Sequence, residues 1–112
     1  MADDVLARWP DAAGRAAYLA AYNAAQALIS ERTGRTVKTH AGVNAEFHRL
    51  VRGDARVDDE LRAFLGSGYN LKTLADYETG PSSEVLPEVA IKAIATAHRF
   101  VAKMADLIEG NT

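Results

Sequence analysis

The chain has 112 residues, a length that fits one domain with one modest hydrophobic core. Hydrophobic residues make up 48% of it and charged residues 25%, a balance typical of globular proteins and not of disordered ones. The net charge of −2 gives no general attraction to nucleic acids, so RNA binding would need a local basic patch. The absence of cysteine excludes disulfides, thiolate catalysis and cysteine-ligated zinc.

The N-terminal residues are acidic at Asp3 and Asp4 and lack the apolar run of a signal peptide. No apolar stretch approaches the roughly 20 residues that a transmembrane helix needs. We therefore expect a cytoplasmic protein without a membrane segment. A single domain over residues 1–112 is predicted, because the chain has no internal repeat and no low-complexity linker.

The spacing of apolar residues predicts an all-α protein, an up-and-down bundle of about four helices, and no stretch alternates as a strand would. A short first segment, residues 3–9, forms a helical turn or two and stops at Pro10. A long alanine-rich helix then runs to Thr33, and Gly34 marks its end. Its polar stripe is narrow, which indicates a helix covered on most sides, either by its own chain or by a partner.

Two further helices follow a basic loop at residues 35–39. The first of them ends at residues 53–54, and the next begins with the acidic residues 58–60, where the helix dipole favours negative charge. Gly66 and Gly68 within this third helix predict a kink or a close helix contact. The amphipathic face of the second helix consists of Val43, Phe47, Leu50 and Val51.

The last helix carries the clearest apolar stripe in the chain. It is predicted to follow the break at residues 80–81, with Ser82 or Ser83 as its cap, to accept Pro87 in its first turn and to end at Gly110. The stripe consists of Leu86, Ala90, Ile94, Ala97, Val101, Met104 and Ile108.

Three local patterns occur in a fixed order along the chain. The first covers residues 15–28 on the long helix (RAAYLAAYNAAQAL), the second residues 38–42 at the entry to the second helix (KTHAG), and the third residues 69–77 (YNLKTLADY). Together they resemble the HEPN domain family, in particular its small stand-alone members encoded beside minimal nucleotidyltransferases. The resemblance covers roughly residues 11–108. It rests on order and spacing, because no single pattern is specific.

The resemblance implies a helical bundle that dimerises, with a functional groove at or near the dimer interface. It also implies a shortened N-terminal helix, since the family usually has a full helix before the first pattern. Active members resemble metal-independent ribonucleases built on an arginine followed, after four to six residues, by a histidine. Imidazole transfers protons near neutral pH, and a guanidinium stabilises the charge that develops on phosphoryl oxygens.

The chain departs from this motif in its third pattern. Lys72 stands where the arginine is expected, and residues 73–78 contain no histidine. The degenerate motif thus consists of Lys72, Asp76 and Tyr77, and an aspartate that is ionised at pH 7 is a poor general acid. Ribonuclease activity is therefore predicted to be impaired or lost.

Asp76 and Tyr77 allow two interpretations. One is structural: the Tyr77 ring packs near the helix end, and Asp76 hydrogen-bonds across the bundle. The other follows from the resemblance, because in some relatives a tyrosine near the motif accepts a nucleotide from the partner enzyme. By position, Tyr77 is the candidate for that tyrosine.

Arg35 and His40 also have an Arg-x4-His spacing, outside the position of the family's motif. One hypothesis is a displaced ribonuclease site of Arg35, His40 and Lys72. The alternative is that His40 caps or packs against the second helix while Arg35 is solvated. His48 and His98 have no partner at metal-ligand spacing, so we expect no metal and no cofactor.

Two groups of residues bear on RNA binding. Tyr18 and Tyr22 lie one turn apart and are predicted to be core or dimer contacts in preference to stacking platforms for bases. A basic patch at one end of the bundle is the second group, although scattered arginines are more often simply solvated. Its members are Lys38, Arg49, Arg52 and Arg56.

The leading interpretation is a HEPN-like component of a toxin–antitoxin or related defence pair. It is expected to be a homodimer with a minimal nucleotidyltransferase as its partner, and its metal-independent ribonuclease activity is degenerate or lost. The alternative is a non-catalytic interaction module whose alanine-rich helix forms an obligate dimer.

Overall fold

The computed structural model describes residues 9–76 and 86–110, with the backbone alone for residues 70–76. Four helices account for most of this part of the chain, and it contains no strand. The all-α helical bundle is therefore confirmed. The helices are α1 (Trp9–Thr33), α2 (His40–Leu50), α3 (Asp59–Asp76) and α4 (Pro87–Glu109).

Helix α1 is the central element, because it packs against each of the other three. It contains Pro10 near its start, where a missing N–H breaks no helical hydrogen bond, and it ends as predicted before Gly34, whose φ is +72°. Ala21 and Ala25 are fully buried, because their small side chains let the neighbouring helices approach closely. The predicted short segment before Pro10 lies, apart from Trp9, outside the described residues.

A phenylalanine core joins the other three helices against α1. It consists of Phe47 from α2, Phe64 from α3 and Phe100 from α4. The ring centroids of Phe47 and Phe100 lie 5.2 Å apart, and those of Phe64 and Phe100 lie 6.2 Å apart. Such tilted ring contacts add to the free energy gained by burying the rings.

The structure corrects the stripe predicted for α4. Leu86 and Val101 belong to that stripe, yet 56% and 40% of their surfaces are exposed. Phe100 instead centres the buried face, where it packs against Phe47 and Phe64. Helix periodicity fits both faces, and the larger aromatic side chain takes the core position. The buried residues of α4 are Ala90, Ala93, Thr96, Ala97, Phe100, Met104 and Leu107.

The loop between α1 and α2 folds back along α1. The Gln26 side chain holds it: Nε2 donates to the Val37 carbonyl at 2.5 Å, and Oε1 accepts from the Val37 N–H at 3.4 Å. We call this pair of hydrogen bonds the Gln26 clamp. It satisfies both backbone groups of Val37 as a neighbouring strand would.

As a result, α1 and α2 run in the same direction. His40, at the start of α2, lies beside Tyr18 in the middle of α1. Asp54, just past the end of α2, lies near Arg32 at the end of α1, close enough for that charge to help lower the pKa of Asp54. The clamp thus returns the chain along α1 before α2 begins.

Helix α3 begins at a dense group of polar contacts. Asp58 accepts from the Leu61 N–H at 2.9 Å and so caps the helix. The helix therefore begins among the acidic residues 58–60, as predicted. Arg99 of α4 pairs with both Asp58 and Glu60, and Glu60 also accepts from the Thr96 hydroxyl at 3.1 Å. These contacts fix the start of α3 against the middle of α4. Ser82 and Ser83, the predicted caps of α4, lie outside the described residues, and the helix begins at Pro87.

Candidate functional site

Four rings from three helices meet beside the middle of α1. Tyr18 and Tyr22 come from α1, His40 begins α2, and Tyr69 lies in α3. The centroid of the His40 ring is 5.5 Å from that of Tyr18, 4.9 Å from that of Tyr22 and 5.1 Å from that of Tyr69. We call these four residues the Tyr–His cluster. It brings together one part of each of the three sequence patterns.

The start of α2 places His40 through its neighbours in the KTHAG pattern. Thr39 is the N-cap, and its hydroxyl accepts from the Gly42 N–H at 2.9 Å. A Cβ at position 42 would lie 2.6 Å from Cγ1 of Val37 and 2.8 Å from Oγ1 of Thr39. Glycine is therefore required there if the cap and the folded-back loop are to coexist. The threonine and the glycine of this pattern thus serve to orient the histidine.

Glycine also lets α3 approach the cluster. A Cβ at Gly68 would lie 3.0 Å from Cδ1 of Tyr18, so a side chain there would press on the tyrosine ring. The predicted close helix contact is confirmed at this position. At Gly66 a Cβ would have no protein atom within 4 Å. The two glycines of α3 therefore have different surroundings, although only two residues separate them.

Tyr18 and His40 share a hydrogen bond of 2.5 Å between the phenolic oxygen and Nδ1. Burial, followed by the nearby phenols of Tyr22 and Tyr69, raises the pKa of Tyr18 to about 12. The phenol therefore keeps its proton at neutral pH, and the direction of its hydrogen bond with Nδ1 depends on the tautomer of the imidazole. The phenol donates to Nδ1 when the ring proton is on Nε2, and it accepts from Nδ1–H in the other tautomer.

A pocket of about 200 Å³ opens beside the cluster. We call it the aromatic pocket. None of the described residues that line it is Asp, Glu, Lys or Arg. These residues are Tyr18, His40, Ala41, Asn44, Leu65, Gly66 and Tyr69.

Asn44, one of the residues that line the aromatic pocket, carries an unmet hydrogen-bond acceptor. Its Oδ1 is buried, and no described residue donates a hydrogen bond to it. Leaving a buried acceptor unpaired costs about 1–3 kcal/mol, so such atoms are rare in native proteins. The remaining polar groups of the pocket lining belong to Tyr18, His40 and Tyr69.

The structure distributes the sequence-predicted site residues over several places. His40 lies in the Tyr–His cluster, while Lys72 and Asp76 lie further along α3 than Tyr69. Tyr77 lies outside the described residues. The proposed roles of these residues therefore stay predictions.

Arg35 lies in the exposed loop before α2, where its N–H donates to the hydroxyl of Thr33 at 3.1 Å. The pKa of the Glu46 carboxyl is lowered mainly by its hydrogen bond with Arg49, and the charge of Arg35 adds a smaller effect. The charge of Arg35 thus acts on Glu46, whereas the His40 ring is hydrogen-bonded to Tyr18. The described contacts pair His40 with phenols and not with a cation.

The predicted basic patch is partly neutralised. Arg49 pairs with Glu46, and Arg56 pairs with Asp54 at 2.7 Å. Hydrogen bonds from the side chain and backbone of Arg56 lower the pKa of Asp54 to about 2, so this carboxylate stays ionised at neutral pH. A paired arginine attracts phosphate less than a free one, and the patch is correspondingly weaker than the sequence predicts.

A second concave surface runs between α1 and α4, with a volume of about 420 Å³. We call it the alanine groove. Its floor is mostly alanine, and its rim includes Ile94 and the exposed Val101. The lining residues are Ala13, Ala16, Ala17, Ala20, Ile94, Ala97, His98 and Val101.

Over residues 9–76 and 86–110, no three His, Asp or Glu side chains are grouped closely enough to hold a metal ion. None of the described helices is long and apolar enough to cross a bilayer. Comparison with family models, curated proteins and solved structures found no match to this chain.

Sequence reasoning missed how the site is assembled. Tyr18 and His40 are 22 residues apart, and nothing in the helical periodicity of α1 indicates that its tyrosines face α2. Asn44 was also missed, since it is a single polar residue on an otherwise ordinary amphipathic helix. One available signal was the KTHAG pattern, because a capping threonine and a glycine around a histidine fix that histidine at a helix start.

Proposed function

We propose that this chain is the HEPN-like component of a toxin–antitoxin or related defence pair and that it acts by binding, without cleaving RNA itself. The observation that carries the proposal is the Tyr–His cluster. The three sequence patterns that carry the resemblance lie far apart in the chain, yet each contributes a residue to this cluster. Patterns retained for a common site are expected to converge in this way.

The surroundings of His40 support binding over catalysis. Metal-independent cleavage needs a proton-transfer group together with a cation that stabilises the phosphoryl charge. His40 is hydrogen-bonded to a phenol whose pKa is raised, and the described lining of the aromatic pocket contains no lysine or arginine. The cluster thus offers rings and neutral hydrogen-bonding groups for recognition.

Incubation of the purified chain with RNA in the presence of a metal chelator tests this part of the proposal. We expect the RNA to stay intact. Degradation that disappears in both His40→Ala and His40→Gln would contradict it and would favour the displaced site of Arg35, His40 and Lys72.

The partner is tested through the gene neighbourhood. A small nucleotidyltransferase encoded in the adjacent reading frame, co-purifying with this chain when the two are expressed together, is the expected result. An unrelated neighbour would count strongly against a toxin–antitoxin or defence pair. A nucleotidyltransferase neighbour that fails to bind the chain would contradict the direct partnership.

A second function, a dimeric interaction module, is favoured by the alanine groove. Among the exposed residues of α1 between Trp9 and Ala27, only Asn23 is polar. Small side chains on the groove floor and bulky ones at Ile94 and Val101 form a surface on which a second copy can pack by two-fold symmetry.

Sedimentation of the wild-type chain and its variants tests the dimer. We expect a dimer that persists on dilution and that Ala20→Arg dissociates, because Ala20 is exposed and lines the groove. Ala45→Arg makes the same change at an exposed position of α2 and should leave the dimer intact. Ala24→Arg is less informative, since Ala24 packs partly against the core. A monomeric wild-type chain would refute this function.

A further inference from the structure

The size of the aromatic pocket limits its ligand. At about 200 Å³ it is somewhat larger than the engineered apolar cavity of about 150 Å³ that binds benzene. A single ring or two fused rings therefore fit inside it. A ring together with a sugar or a phosphate exceeds this volume, so such groups would stay outside the pocket.

The walls of the aromatic pocket favour a flat ligand. Three of its lining residues carry rings, those of Tyr18, His40 and Tyr69, and the Tyr18 and Tyr69 rings meet edge to face at 66°. Such rings offer faces and edges for a further ring to pack against. On the lining from α3, Leu65 is apolar and Gly66 has no side chain, which leaves space between the helices.

The charge of the lining favours a neutral ligand. None of the described residues that line the aromatic pocket is Asp, Glu, Lys or Arg. A charged group would lose its hydration there without gaining an opposite charge. Among neutral ligands, one with a hydrogen-bond donor has a partner in Asn44, whose Oδ1 is buried and accepts no hydrogen bond from the described residues. The terminal torsion of an asparagine is soft, so its amide can turn towards a ligand.

We propose that the aromatic pocket binds a neutral planar ring that carries an N–H donor at its edge, with Asn44 as the acceptor. Nucleobases and indole share this chemistry. The proposal is independent of the HEPN resemblance, because the volume, ring geometry and charge of the pocket and the unpaired Asn44 oxygen support it.

Titration of the purified chain with two matched pairs of small molecules, followed by NMR, tests the proposal. The first pair is 9-methyladenine and 9-methylpurine, which lacks the exocyclic amine and has no ring N–H. The second is indole and benzofuran, which replaces the N–H with an oxygen. We expect the member with the additional donor to bind about tenfold more tightly in at least one pair, since one good hydrogen bond has about that effect. The amide signals of Ala41 and Gly66 should shift on binding.

The two pairs also distinguish the sources of the ring. Tighter binding of 9-methyladenine than of indole would indicate a nucleobase, and the reverse would indicate an indole ring. Binding of neither up to millimolar concentrations would overturn the proposal. Equal binding of both members in each pair would overturn the role of Asn44 and leave only an unspecific apolar cavity.

Three variants test whether the ligand binds in the aromatic pocket. Gly66→Leu fills it, because a Cβ at Gly66 meets no protein atom within 4 Å, and binding should be lost while the helical content is kept. Ser67→Leu places the same side chain on the exposed neighbouring position and should bind as the wild type does. In Asn44→Leu, the two members of each pair should bind with about the same affinity. Unchanged binding in Gly66→Leu would show that the ligand sits elsewhere and would overturn the proposal.

Discussion

The phenylalanine core and the Tyr–His cluster are both groups of aromatic rings packed about 5–6 Å apart. They differ in the polar atoms that the rings carry and in the space beside them. The Phe100 ring is fully buried and has no polar atom to satisfy. In the cluster each ring carries a hydroxyl or a nitrogen, and a pocket opens beside it. The difference indicates that the core serves stability, whereas the cluster places polar groups beside a pocket.

The largest effect is expected in the core. Phe100→Ala should lower the free energy of unfolding by about 3–5 kcal/mol, because it leaves a cavity between Phe47 and Phe64. Urea denaturation followed by circular dichroism measures this change. Val101→Ala is the matched control, since Val101 is exposed and its truncation should change stability by no more than about 0.5 kcal/mol. Equal losses in the two variants would contradict the buried face assigned to α4.

A smaller change in stability is expected from removing the Gln26 clamp, which positions the Tyr–His cluster. Gln26→Ala should lower the free energy of unfolding by about 1–3 kcal/mol, because the partly buried N–H and C=O groups of Val37 lose their hydrogen-bond partner. It should also shift the NMR signals of the His40 ring. Gln26→Glu still accepts from the Val37 N–H but no longer donates to its carbonyl, so an intermediate loss is expected. A His40 signal unchanged in Gln26→Ala would separate the clamp from the cluster.

Within the cluster, Tyr18→Phe should cost about 0.5–1.5 kcal/mol, since it removes the hydrogen bond to Nδ1 of His40 and keeps the ring. The same variant tests the raised pKa of Tyr18, whose folded-state value is about 12 against 10.0 in the unfolded chain. Between these values the unfolded state loses the phenolic proton first, so wild-type stability falls as the pH rises from 10 to 12. Denaturation curves over this range should show a shallower fall for Tyr18→Phe. Parallel curves would contradict the raised pKa.

The smallest change in stability is expected at the two glycines of α3, and it should differ between them. Gly66→Ala is expected to stabilise the protein by about 0.5–1 kcal/mol, because alanine favours the helix and its Cβ meets no atom within 4 Å. Gly68→Ala should gain nothing or lose stability, since its Cβ would press on the Tyr18 ring. Thermal unfolding of both variants measures the difference. The same gain in both would show that Gly68 does not set the distance between α3 and Tyr18.

The parts of the fold that could be predicted from sequence depend on neighbouring residues. Gly34 ended α1 as expected, and the acidic residues 58–60 marked the start of α3, because caps act within one turn. The face of α4 was predicted only in part, since Val101 and Phe100 both fit a helical stripe. Periodicity alone cannot choose between them; contacts with other helices decide.

The site was less accessible to sequence reasoning than the fold. His40 was singled out for its spacing from Arg35, whereas the structure surrounds it with tyrosines from α1 and α3. These contacts depend on the direction of α2, which a single side chain, Gln26, helps to set. A hydrogen bond between a side chain and a distant backbone group leaves no periodic signal in a sequence.

The Gln26 clamp also has a consequence for the order in which the chain folds. It joins residues 11 positions apart, whereas the hydrogen bond between Tyr18 and His40 joins residues 22 positions apart. If the shorter loop closes first, less chain entropy is lost when the longer one closes. The entropic free energy of closure falls by on the order of 0.6 kcal/mol for each halving of the free loop. The loop around Val37 is therefore expected to form early, so that His40 contacts α1 before α3 packs against them.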